Sequence, residues 1–307
     1  MISILMGTYN GEKYLHQQIE SLLNQTANNF TLWICDDAST DSTWEILQQY
    51  ASRFPKKIKV SQRAKNTGNP KHNYLDMMVR IKDDYVMCCD QDDVWLPYKI
   101  EITLAKMQET EKKHPNMPVL IRTDQHVVDQ NLQMINPSYI NAMHSNFTRT
   151  AFHQVLIQNT FAGCTAMYNR KLADLFFEKP NYCIMFDWWL ELVAAAFGKI
   201  ENIYDATMLY RQHGNNMVGA KDFHSLSYKI SRIINHGGIR QAINATYKQA
   251  DSFLKVYENH LSDDQKVMIR QYCSIPQKSK FSRWRTICSL RAYKYGFTRN
   301  IAYFLFV

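Results

Sequence analysis

The chain is predicted to adopt an α/β fold in which helices flank a mostly parallel central sheet. Short apolar runs alternate with stretches of helical periodicity through the first 125 residues, as they do when crossover helices join parallel strands. Polar residues cluster where the apolar runs end, and open α/β sheets bind their ligands beyond these strand ends. The 307 residues, 46% of them hydrophobic, suffice to bury a full core.

Two strand and helix pairs open the chain. Residues 2–6 form an apolar run typical of a buried strand, and the segment that follows has apolar residues at helical spacing. Residues 30–35 form a second such run, again followed by a helical pattern. The apolar positions are Leu15, Ile19, Leu22 and Leu23 in the first predicted helix, and Trp44, Leu47 and Tyr50 in the second.

Three more strands are predicted in this half. Residues 58–61 form the third strand and precede a helix. Residues 85–89 form the fourth strand, and we expect a helix to begin within residues 94–97. The fifth strand comprises residues 119–121 and ends at Asp124. The apolar residues of the helix after the third strand are Leu75, Met78 and Val79.

The second half of the chain has a less regular pattern. Residues 147–211 mix strand and helix signals, and the sequence from Phe223 onward is mainly helical. Turn-forming residues cluster between Arg211 and Phe223, namely Gly214, Asn215, Asn216 and Gly219. We therefore predict one α/β domain at residues 1–215, which contains the polar strand ends, and a mainly helical C-terminal region at residues 216–307.

The C-terminal region is strongly basic and rich in aromatic residues. No acidic residue follows Asp264, whereas nine basic residues do: Lys266, Arg270, Lys278, Lys280, Arg283, Arg285, Arg291, Lys294 and Arg299. Aromatic residues are interleaved with them, including Phe281, Trp284, Tyr293, Tyr295, Phe297, Tyr303 and Phe304. Cations combined with large amphipathic rings favour an anionic membrane surface as a partner. The last apolar run, residues 301–307, is too short to span a bilayer.

Two other interpretations of this region stay open. It can pack onto the α/β domain or onto a second subunit of a homo-oligomer through Ile287, Leu290, Tyr293 and Phe297.

A nucleic-acid partner is not expected, because the sequence has no RNP motif and no zinc-ligand pattern. The seven cysteines form no Cys-x-x-Cys pair, and the N-terminus has no signal peptide pattern, so we expect a cytoplasmic protein, peripheral at the inner face of the plasma membrane.

An acidic run follows the fourth predicted strand and indicates a metal site. Asp90, Asp92 and Asp93 place three carboxylates directly after a buried apolar stretch. Such crowded charges repel each other, so that one of them tends to take up a proton unless a cation is bound. Because the ligands are oxygens, Mn²⁺ or Mg²⁺ is favoured over zinc. A solvated acidic turn is the alternative interpretation.

Polar residues at four strand ends are expected to line one edge of the sheet. The donor-binding candidates among them are Thr8, Tyr9, Asn10, Asp36, Asp37, Asn66, Lys71, Asn73 and Gln91. The sequence has neither a Gly-x-Gly-x-x-Gly motif nor a Walker A loop, which argues against NAD and P-loop chemistry. A nucleotide would instead be held by Asp37, which can accept from a base or a ribose, by the ring of Tyr9 and by the metal on the diphosphate.

These residues resemble a known family, the family 2 glycosyltransferases with the GT-A fold. The matching motifs are Met-Gly-Thr-Tyr-Asn-Gly at residues 6–11, Asp-Asp-Ala-Ser-Thr-Asp at 36–41, Asp-Gln-Asp at 90–92 with Val-Trp-Leu-Pro at 94–97, and Phe-Asp-Trp-Trp-Leu at 186–190. Within the family, residues 89–95 and 210–216 are similar to those of bacterial transferases of capsule, O-antigen and rhamnan assembly, often rhamnosyltransferases.

The resemblance assigns roles to individual residues. It implies that Asp37 contacts the base, that Asp92 is the principal metal ligand and that Asp90 is its partner. It places His213 near the metal and the diphosphate, although a lone histidine is often structural. Tyr9 matches the aromatic residue beside the base.

The resemblance also identifies Asp187 as the catalytic base. The family usually presents this residue after a Glu, and here Phe186 replaces that Glu, so the second carboxylate of the family's pattern is absent at this position. A structural alternative for Asp187 is a helix N-cap before residues 188–197. Trp188 and Trp189 are candidates to bind the acceptor by stacking on a sugar, with core packing as the alternative for at least one of them.

The resemblance implies an inverting, metal-dependent transferase. Its donor would be a nucleoside-diphosphate sugar, with rhamnose as the candidate sugar, and its acceptor a hydroxyl of a growing, lipid-linked glycan of the bacterial surface. A catalytically silent nucleotide-sugar-binding or scaffold protein with the same fold is the rival interpretation, against which the intact Asp90, Asp92 and Asp187 speak. A nucleotidyltransferase would share the sheet and metal but is expected to carry a glycine-rich, basic loop after its first strand.

Overall fold

A computed structural model describes residues 1–213 and 236–307 of the chain. Nine strands form one sheet. They are β1 (Ile2–Thr8), β2 (Phe30–Asp36), β3 (Ile58–Gln62), β4 (Tyr85–Cys89), β5 (Val94–Trp95), β6 (Val119–Val128), β7 (Met134–Asn136), β8 (Ala166–Asn169) and β9 (Lys199–Arg211). Their order across the sheet is β3-β2-β1-β4-β8-β6-β9-β5, and β7 pairs with β6 outside this path.

The first four strands are mutually parallel, as predicted from the sequence. β8 runs antiparallel to both of its neighbours, β4 and β6, while β6 and β9 are again parallel to each other. β6 therefore points in the same direction as β1 to β4. The carboxyl ends of β1, β2, β4 and β6 consequently face one edge of the sheet, and the α/β fold class is confirmed.

Helices cover both faces of the sheet. In the first half they are α1 (Glu12–Leu23), α2 (Thr43–Arg53), α3 (Lys71–Arg80), α4 (Lys99–Lys113), α5 (Tyr139–Ala142), α6 (Phe152–Val155), α7 (Arg170–Ala173) and α8 (Phe186–Phe197). In the second half they are α9 (His236–Tyr257), α10 (Asp263–Cys273), α11 (Lys280–Ser289) and α12 (Phe297–Phe306), and short 3-10 turns lie at Gly163–Thr165 and Ile275–Gln277.

The alternation of side chains along each strand produces two hydrophobic cores, one on each face of the sheet. In β1, for example, Ile4 and Met6 contribute to one core and Leu5 to the other. The first core also receives α1 and α2, through Leu15 and Leu47. The helical periods read from the sequence therefore identify the faces that are buried.

The segment after the acidic run differs from the prediction. Val94–Trp95 form the short strand β5, antiparallel to the end of β9, and the helix begins only at Lys99. The expectation of a helix start within residues 94–97 was wrong. Trp95 is a buried strand residue that packs against β9 and α1, and Pro97 disfavours helical backbone angles at the residue before it.

β6 is also longer than predicted. It runs from Val119 to Val128, so Asp124 lies within the strand and not at its end. A register shift against β9 occurs at Asp124, and its carboxylate accepts hydrogen bonds from Ser138 Oγ and from the backbone N–H of Ile140 (3.2 Å). Asp124 therefore lies at an irregularity of β6, and its side chain is hydrogen-bonded to the start of α5.

The C-terminal helices share a hydrophobic core with α8. Tyr247, Phe253, Ile287 and Tyr303 are buried in the same cluster as Trp189 of α8. The boundary predicted at residues 215/216 lies outside the described residues, so the division into two units stays a prediction. Among the helices of residues 1–213 and 236–307, we find none that combines the length and the apolar character needed to cross a bilayer.

Candidate active site

A cavity of about 510 Å³ opens at the edge of the sheet where the parallel strands end. One wall comes from the loops that follow β1, β2, β3 and β4, and the other from residues 159–163, the start of α8, Tyr139 and Tyr210. Of the predicted donor-site residues, Thr8, Tyr9, Asp37, Asn66, Asn73 and Gln91 line this cavity. Asp90, Asp92, Asp187 and Trp188 line it as well.

The loops after β1 and β4 are joined by Gln91. Its Oε1 accepts from the backbone N–H of Tyr9 (2.9 Å), and its Nε2 donates to the Tyr9 carbonyl oxygen (3.0 Å). Gly11 leaves room for this side chain, because a Cβ at that position would lie 2.3 Å from Gln91 Oε1 and would displace the end of the Gln91 side chain. The Tyr9 ring remains 45% exposed at the cavity rim, where it is free to lie against a planar ligand.

Asp37 is held by the loop after β3. Its carboxylate accepts from the backbone N–H and the hydroxyl of Thr67, the latter at 2.8 Å, and Arg63 Nε lies 3.6 Å away. Asn66 shapes the same loop by accepting from the N–H of Gly68, whose φ of +74° favours glycine. Asp37 is thus a fixed acceptor at the cavity wall, with room to receive a further donor from a ligand.

Asp90 and Asp92 present carboxylates at the end of β4. The Tyr74 hydroxyl lies 2.8 Å from Asp90 Oδ1, and His213 Nε2 lies 2.8 Å from Asp92 Oδ2. Burial, together with the negative charge of Asp92, raises the pKa of Asp90 to about 6. The structure therefore brings His213 and Asp92 together, although they are 121 residues apart.

Asp93 lies beneath this pair and outside the cavity wall. It is fully buried, and its Oδ1 accepts from the backbone N–H of Arg211 (3.0 Å). The Arg211 side chain donates to the Asp92 carbonyl oxygen (2.7 Å) and to Gln17 Oε1 (2.6 Å). The end of β9 therefore holds the backbone of the acidic run in place, a role for Arg211 that its position in the sequence did not reveal.

The donor set at this edge fits a hard divalent cation. Within the described residues, Asp93 Oδ2 is buried without a hydrogen-bond partner, and Asp90, Asp93 and Cys164 place ligand atoms within 4.8 Å of one another. Burial raises the pKa of the Cys164 thiol well above its usual value, and a neutral thiol is a poor ligand for Mg²⁺ or Mn²⁺. The cavity-facing oxygens of Asp90 and Asp92 are therefore the groups that would hold such an ion, with His213 beside them.

Asp187 lies in the first turn of α8 and lines the same cavity as Asp90 and Asp92. The helix begins at Phe186 with Met185 as N-cap, which contradicts the alternative interpretation of Asp187 as the N-cap of a helix starting at residue 188. Asp187 Oδ1 accepts from the backbone N–H of Trp188 (2.6 Å). Burial, with added repulsion from Glu191 and Asp90, raises the pKa of Asp187 to about 7, close to the value that suits a general base.

The residue that replaces the expected Glu builds an apolar wall. Phe186 stacks on Tyr74 with ring centroids 3.9 Å apart and an angle of 14° between the planes. A Cβ on Gly163 would lie 2.5 Å from the Phe186 ring, so the neighbouring loop can approach only with glycine at this position. The side of the cavity next to Asp187 is therefore aromatic where the family has a second carboxylate.

The two tryptophans of α8 have different surroundings. Trp188 lines the cavity, and its Nε1 donates to the Val155 carbonyl oxygen (2.7 Å), which fixes the ring. Trp189 is fully buried and packs against Phe253 and Tyr257. We therefore retain Trp188 as an acceptor-binding candidate and assign Trp189 to the core.

Three other predicted donor-site residues are not among those that line the cavity. Asp36 is buried and accepts from Thr8 Oγ1 (2.9 Å) and Ser39 Oγ (2.6 Å). Asn10 accepts from the backbone N–H of Thr40 (2.8 Å). The Lys71 ammonium donates to the Cys183 carbonyl oxygen (2.9 Å). These side chains shape the loops of the site, and we leave them out of the proposed ligand contacts.

Several wall residues were missed by the sequence analysis. Tyr139, Asn159, Phe161 and Tyr210 line the side of the cavity that also contains Asp187. Tyr139, Asn159 and Phe161 lie in no motif, so single-sequence reasoning offered no signal for them. Tyr210 begins the segment 210–216 that resembles the family, but the resemblance assigned it no role. The rings of Tyr139 and Tyr210 contact each other edge to face, with centroids 5.4 Å apart, whereas Asn159 and Phe161 are placed by the tertiary contacts of the segment around residue 160.

A buried ion pair provides those contacts. Glu191, one turn after Asp187 on α8, pairs with Arg122 of β6, and both side chains are fully buried. Thr160 is hydrogen-bonded to both, through its hydroxyl to Arg122 Nη1 (2.7 Å) and through its N–H to Glu191 Oε2 (3.2 Å). Because Thr160 follows Asn159, this network ties the loop of the cavity wall to the helix that carries Asp187.

We expect Glu191→Gln to destabilise the protein by about 3–5 kcal/mol, because it leaves the Arg122 guanidinium buried without a countercharge. Urea unfolding of the two proteins measures the difference. Asp174→Asn is the control, since Asp174 pairs with Arg170 on the surface, and removal of such a pair is expected to cost less than about 1 kcal/mol. Equal stabilities of Glu191→Gln and the wild type would contradict a structural role of the pair.

Comparison with known proteins agrees with this geometry. The family model for glycosyl transferase family 2 matches residues 3–177, more than half of the chain. The dTDP-rhamnosyl transferase RfbG of Shigella flexneri is 26% identical over 272 residues, which cover 81% of this chain and 86% of that protein.

Two solved structures share the fold. TarS of S. aureus, residues 1–349 in complex with UDP, has a TM-score of 0.56 at 18% identity, with 93% of this chain and 73% of that chain covered. The mannosyltransferase PcManGT of Pyrobaculum calidifontis, in complex with GDP-Man and Mn²⁺, has a TM-score of 0.54 at 14% identity, with 95% and 85% covered. These matches confirm the predicted GT-A fold, and with the family match they lead to one conclusion: the chain belongs to glycosyltransferase family 2.

Proposed function

We propose that the chain is an inverting transferase that moves a sugar from a nucleoside diphosphate to a hydroxyl of a growing glycan. The observation that carries the proposal is that Asp187, Asp90, Asp92 and Asp37 all line one cavity. Acceptor, sugar and diphosphate would then meet in one place, as a direct displacement requires.

In this proposal the donor lies along the edge formed by β1 to β4. Asp37 accepts a hydrogen bond from the base or the ribose, and Tyr9 lies against the base. Asp90 and Asp92 face the diphosphate and would hold Mn²⁺ or Mg²⁺, which when bound would offset the negative charge that grows on the leaving group. His213, 2.8 Å from Asp92, orients this carboxylate. The similarity to a dTDP-rhamnosyl transferase makes rhamnose the candidate sugar.

Asp187 acts as the general base. Its carboxylate takes the proton of the acceptor hydroxyl while the oxygen attacks the anomeric carbon from the side opposite the diphosphate, so one displacement inverts the configuration. With a pKa of about 7, the Asp187 carboxyl group is partly ionised at neutral pH. The ionised form also binds a proton strongly enough to act as a base. Trp188 and Tyr139 provide ring surfaces for the acceptor sugar.

We further propose that the acceptor is lipid-linked and that the enzyme acts at the inner face of the plasma membrane. The strongly basic C-terminal region supports this location, because cationic residues are attracted to the anionic cytoplasmic leaflet. The rival interpretation, a nucleotide-sugar-binding scaffold without activity, predicts binding without transfer.

Ligand-dependent thermal stability tests the donor assignment. In a panel of dTDP, UDP and GDP with and without Mn²⁺, we expect one nucleotide to raise the melting temperature, and to do so only with the cation. A ligand at a hundred times its dissociation constant stabilises by about 2.7 kcal/mol. Absence of any nucleotide effect would contradict the proposal.

A product assay separates the enzyme from the scaffold. The nucleotide preferred in the panel is supplied as its sugar conjugate, beginning with dTDP-rhamnose, and released nucleoside diphosphate is measured. We expect release that stops in excess EDTA and resumes when Mn²⁺ is restored, since Asp90 and Asp92 would then regain the cation. Tight binding of the donor with no release in the presence of bacterial membranes would favour the scaffold.

A further inference from the structure

The outward face of α12 is apolar and uncovered. Phe297, Ile301 and Leu305 recur every four residues and therefore lie on one side of the helix. They are 81%, 46% and 55% exposed. The opposite side is buried in the protein through Tyr303, and the chain end is buried through Val307. α12 is thus anchored by one apolar face and presents a second one to the outside.

α11 extends this surface and adds positive charge. Phe281 and Trp284 are 76% and 38% exposed, and the exposed Lys280 and Arg285 lie beside them. Trp284 Nε1 donates to the carbonyl oxygen of Phe304 (2.8 Å), which holds the two helices side by side. The outward residues of α11 and α12 therefore form one surface, here called the tail surface: Lys280, Phe281, Trp284, Arg285, Phe297, Ile301 and Leu305.

The tail surface is fixed to the acceptor side of the cavity. Arg299 donates to the carbonyl oxygens of the two residues that follow α5, at 2.9 and 3.1 Å. The N–H of Tyr295 donates to Gln158 Oε1 (2.7 Å). α5 begins with Tyr139, and Gln158 precedes Asn159, and both of these neighbours line the cavity. Orientation of the tail surface therefore also orients the cavity wall that contains Asp187.

We propose that the tail surface docks on an anionic lipid bilayer, so that the three apolar residues of α12 enter the headgroup boundary and the basic residues of α11 meet the lipid phosphates. Exposed large apolar side chains flanked by cations are the composition that interfacial helices use. A second copy of the chain is disfavoured as the occupant, because self-association would bring two basic surfaces together in a segment that lacks acidic residues after Asp264. The inference rests on the proposed function in one respect only, namely that the molecule which docking brings to the cavity is a lipid-linked acceptor.

Vesicle flotation of the full chain tests the docking surface. We expect recovery with phosphatidylglycerol vesicles, little recovery with phosphatidylcholine vesicles, and a large loss in 1 M NaCl, where the Debye length is about 3 Å. The variant Ile301→Gln/Leu305→Gln should lower the partition coefficient at least about tenfold, because two apolar side chains no longer enter the interface. Point substitutions are preferred to truncation, since Tyr303 and Val307 belong to the core.

The matched control is Met134→Gln/Ile135→Gln on β7, which replaces two apolar residues of similar exposure, 54% and 56%. We expect this variant to float like the wild type. Equal flotation of wild type and the α12 variant, or equal loss in the control, would overturn the assignment. A wild-type dimer that Ile301→Gln/Leu305→Gln converts to a monomer, without vesicle binding by either, would overturn it in favour of self-association.

Nucleotide-dependent thermal stability is measured on the same proteins. Both double variants should keep the stabilisation by nucleoside diphosphate and Mn²⁺, because the substituted side chains lie outside the cavity. A protein that floats but shows no nucleotide effect would refute the proposed function and leave the docking surface intact. A nucleotide effect without flotation would do the reverse.

Discussion

Asp187→Asn should lower the turnover of sugar transfer by about 10²–10⁴, with donor affinity nearly unchanged. The reason is that an amide cannot take the proton of the acceptor hydroxyl, and general-base catalysis is typically worth this factor. Because the lost interaction exists only in the transition state, kcat should fall without a matching rise in the KM for the donor. Steady-state kinetics with the preferred nucleotide sugar measure both quantities.

The pH dependence provides a second measurement of the same residue. Burial raises the pKa of Asp187 to about 7, and only the ionised form is a base, so wild-type activity should rise with pH up to about 7. A cation held at Asp90 and Asp92 adds positive charge nearby and moves the midpoint downward. The residual activity of Asp187→Asn should lack this rising limb.

The free energy of unfolding of Asp187→Asn distinguishes a general base from a residue with a purely structural role. A carboxyl whose pKa is higher in the folded than in the unfolded state lowers the stability as pH rises from about 4 to about 7. Removal of its charge should therefore leave the free energy of unfolding at pH 8 unchanged or higher, and the Asn oxygen can still accept from the N–H of Trp188. Unfolding of the variant under assay conditions would instead indicate that Asp187 mainly supports α8.

The control variant is Asp263→Asn. Asp263 also lies in the first turn of a helix, α10, and its side chain is 99% exposed. We expect normal turnover and a normal pH profile. If this variant lost activity to the same extent, the effect at Asp187 could not be ascribed to proton transfer.

The half of the site built from consecutive strand ends was predictable from the sequence. Parallel strands place their carboxyl ends at one edge, so reading β1, β2 and β4 correctly was enough to bring Tyr9, Asp37 and Asp92 together. Asp36 and Asn10 were harder to assign. Both are polar residues at the same strand ends, but they hydrogen-bond the loops themselves, and local sequence cannot tell such a side chain from one that faces a ligand.

The other half of the site depends on contacts between distant segments. The loop around Asn159 takes its place because Thr160 bonds to the buried Arg122–Glu191 pair, whose members are 69 residues apart. Helix and strand periods carry no information about such a pairing. The burial of Trp189 against α9 was equally hidden, since Trp188 and Trp189 are identical in type and adjacent in sequence.

The strand β5 illustrates a further limit. Val94 and Trp95 follow the acidic run as an apolar pair before Pro97, a pattern compatible with a helix entrance. The structure instead pairs them with Leu209 and Met208 of β9. This pairing also brings Arg211 to Asp92 and Asp93, so a contact that the sequence did not reveal determines the geometry of the predicted metal motif.

The second large effect is expected at that motif. Asp92→Asn should abolish detectable sugar transfer, because it removes a full negative charge from the carboxylate that faces the cavity and that would hold the cation. It should also abolish the stabilisation of the protein by nucleoside diphosphate that depends on Mn²⁺, as measured by thermal unfolding. The fold should persist, since the Arg211 side chain bonds to the Asp92 backbone carbonyl and not to its carboxylate.

Asp205→Asn serves as the control, because it removes the same charge from an exposed position of β9. We expect its activity and its Mn²⁺-dependent stabilisation to equal those of the wild type.

The pH dependence of metal binding gives a further check. The pKa of about 6 at Asp90 means that affinity for Mn²⁺ should fall as pH decreases through 6, since protonation removes a ligand charge. Normal turnover by Asp92→Asn, or full wild-type activity in excess EDTA, would show that the acidic run serves the fold and that leaving-group stabilisation comes from other residues of the cavity.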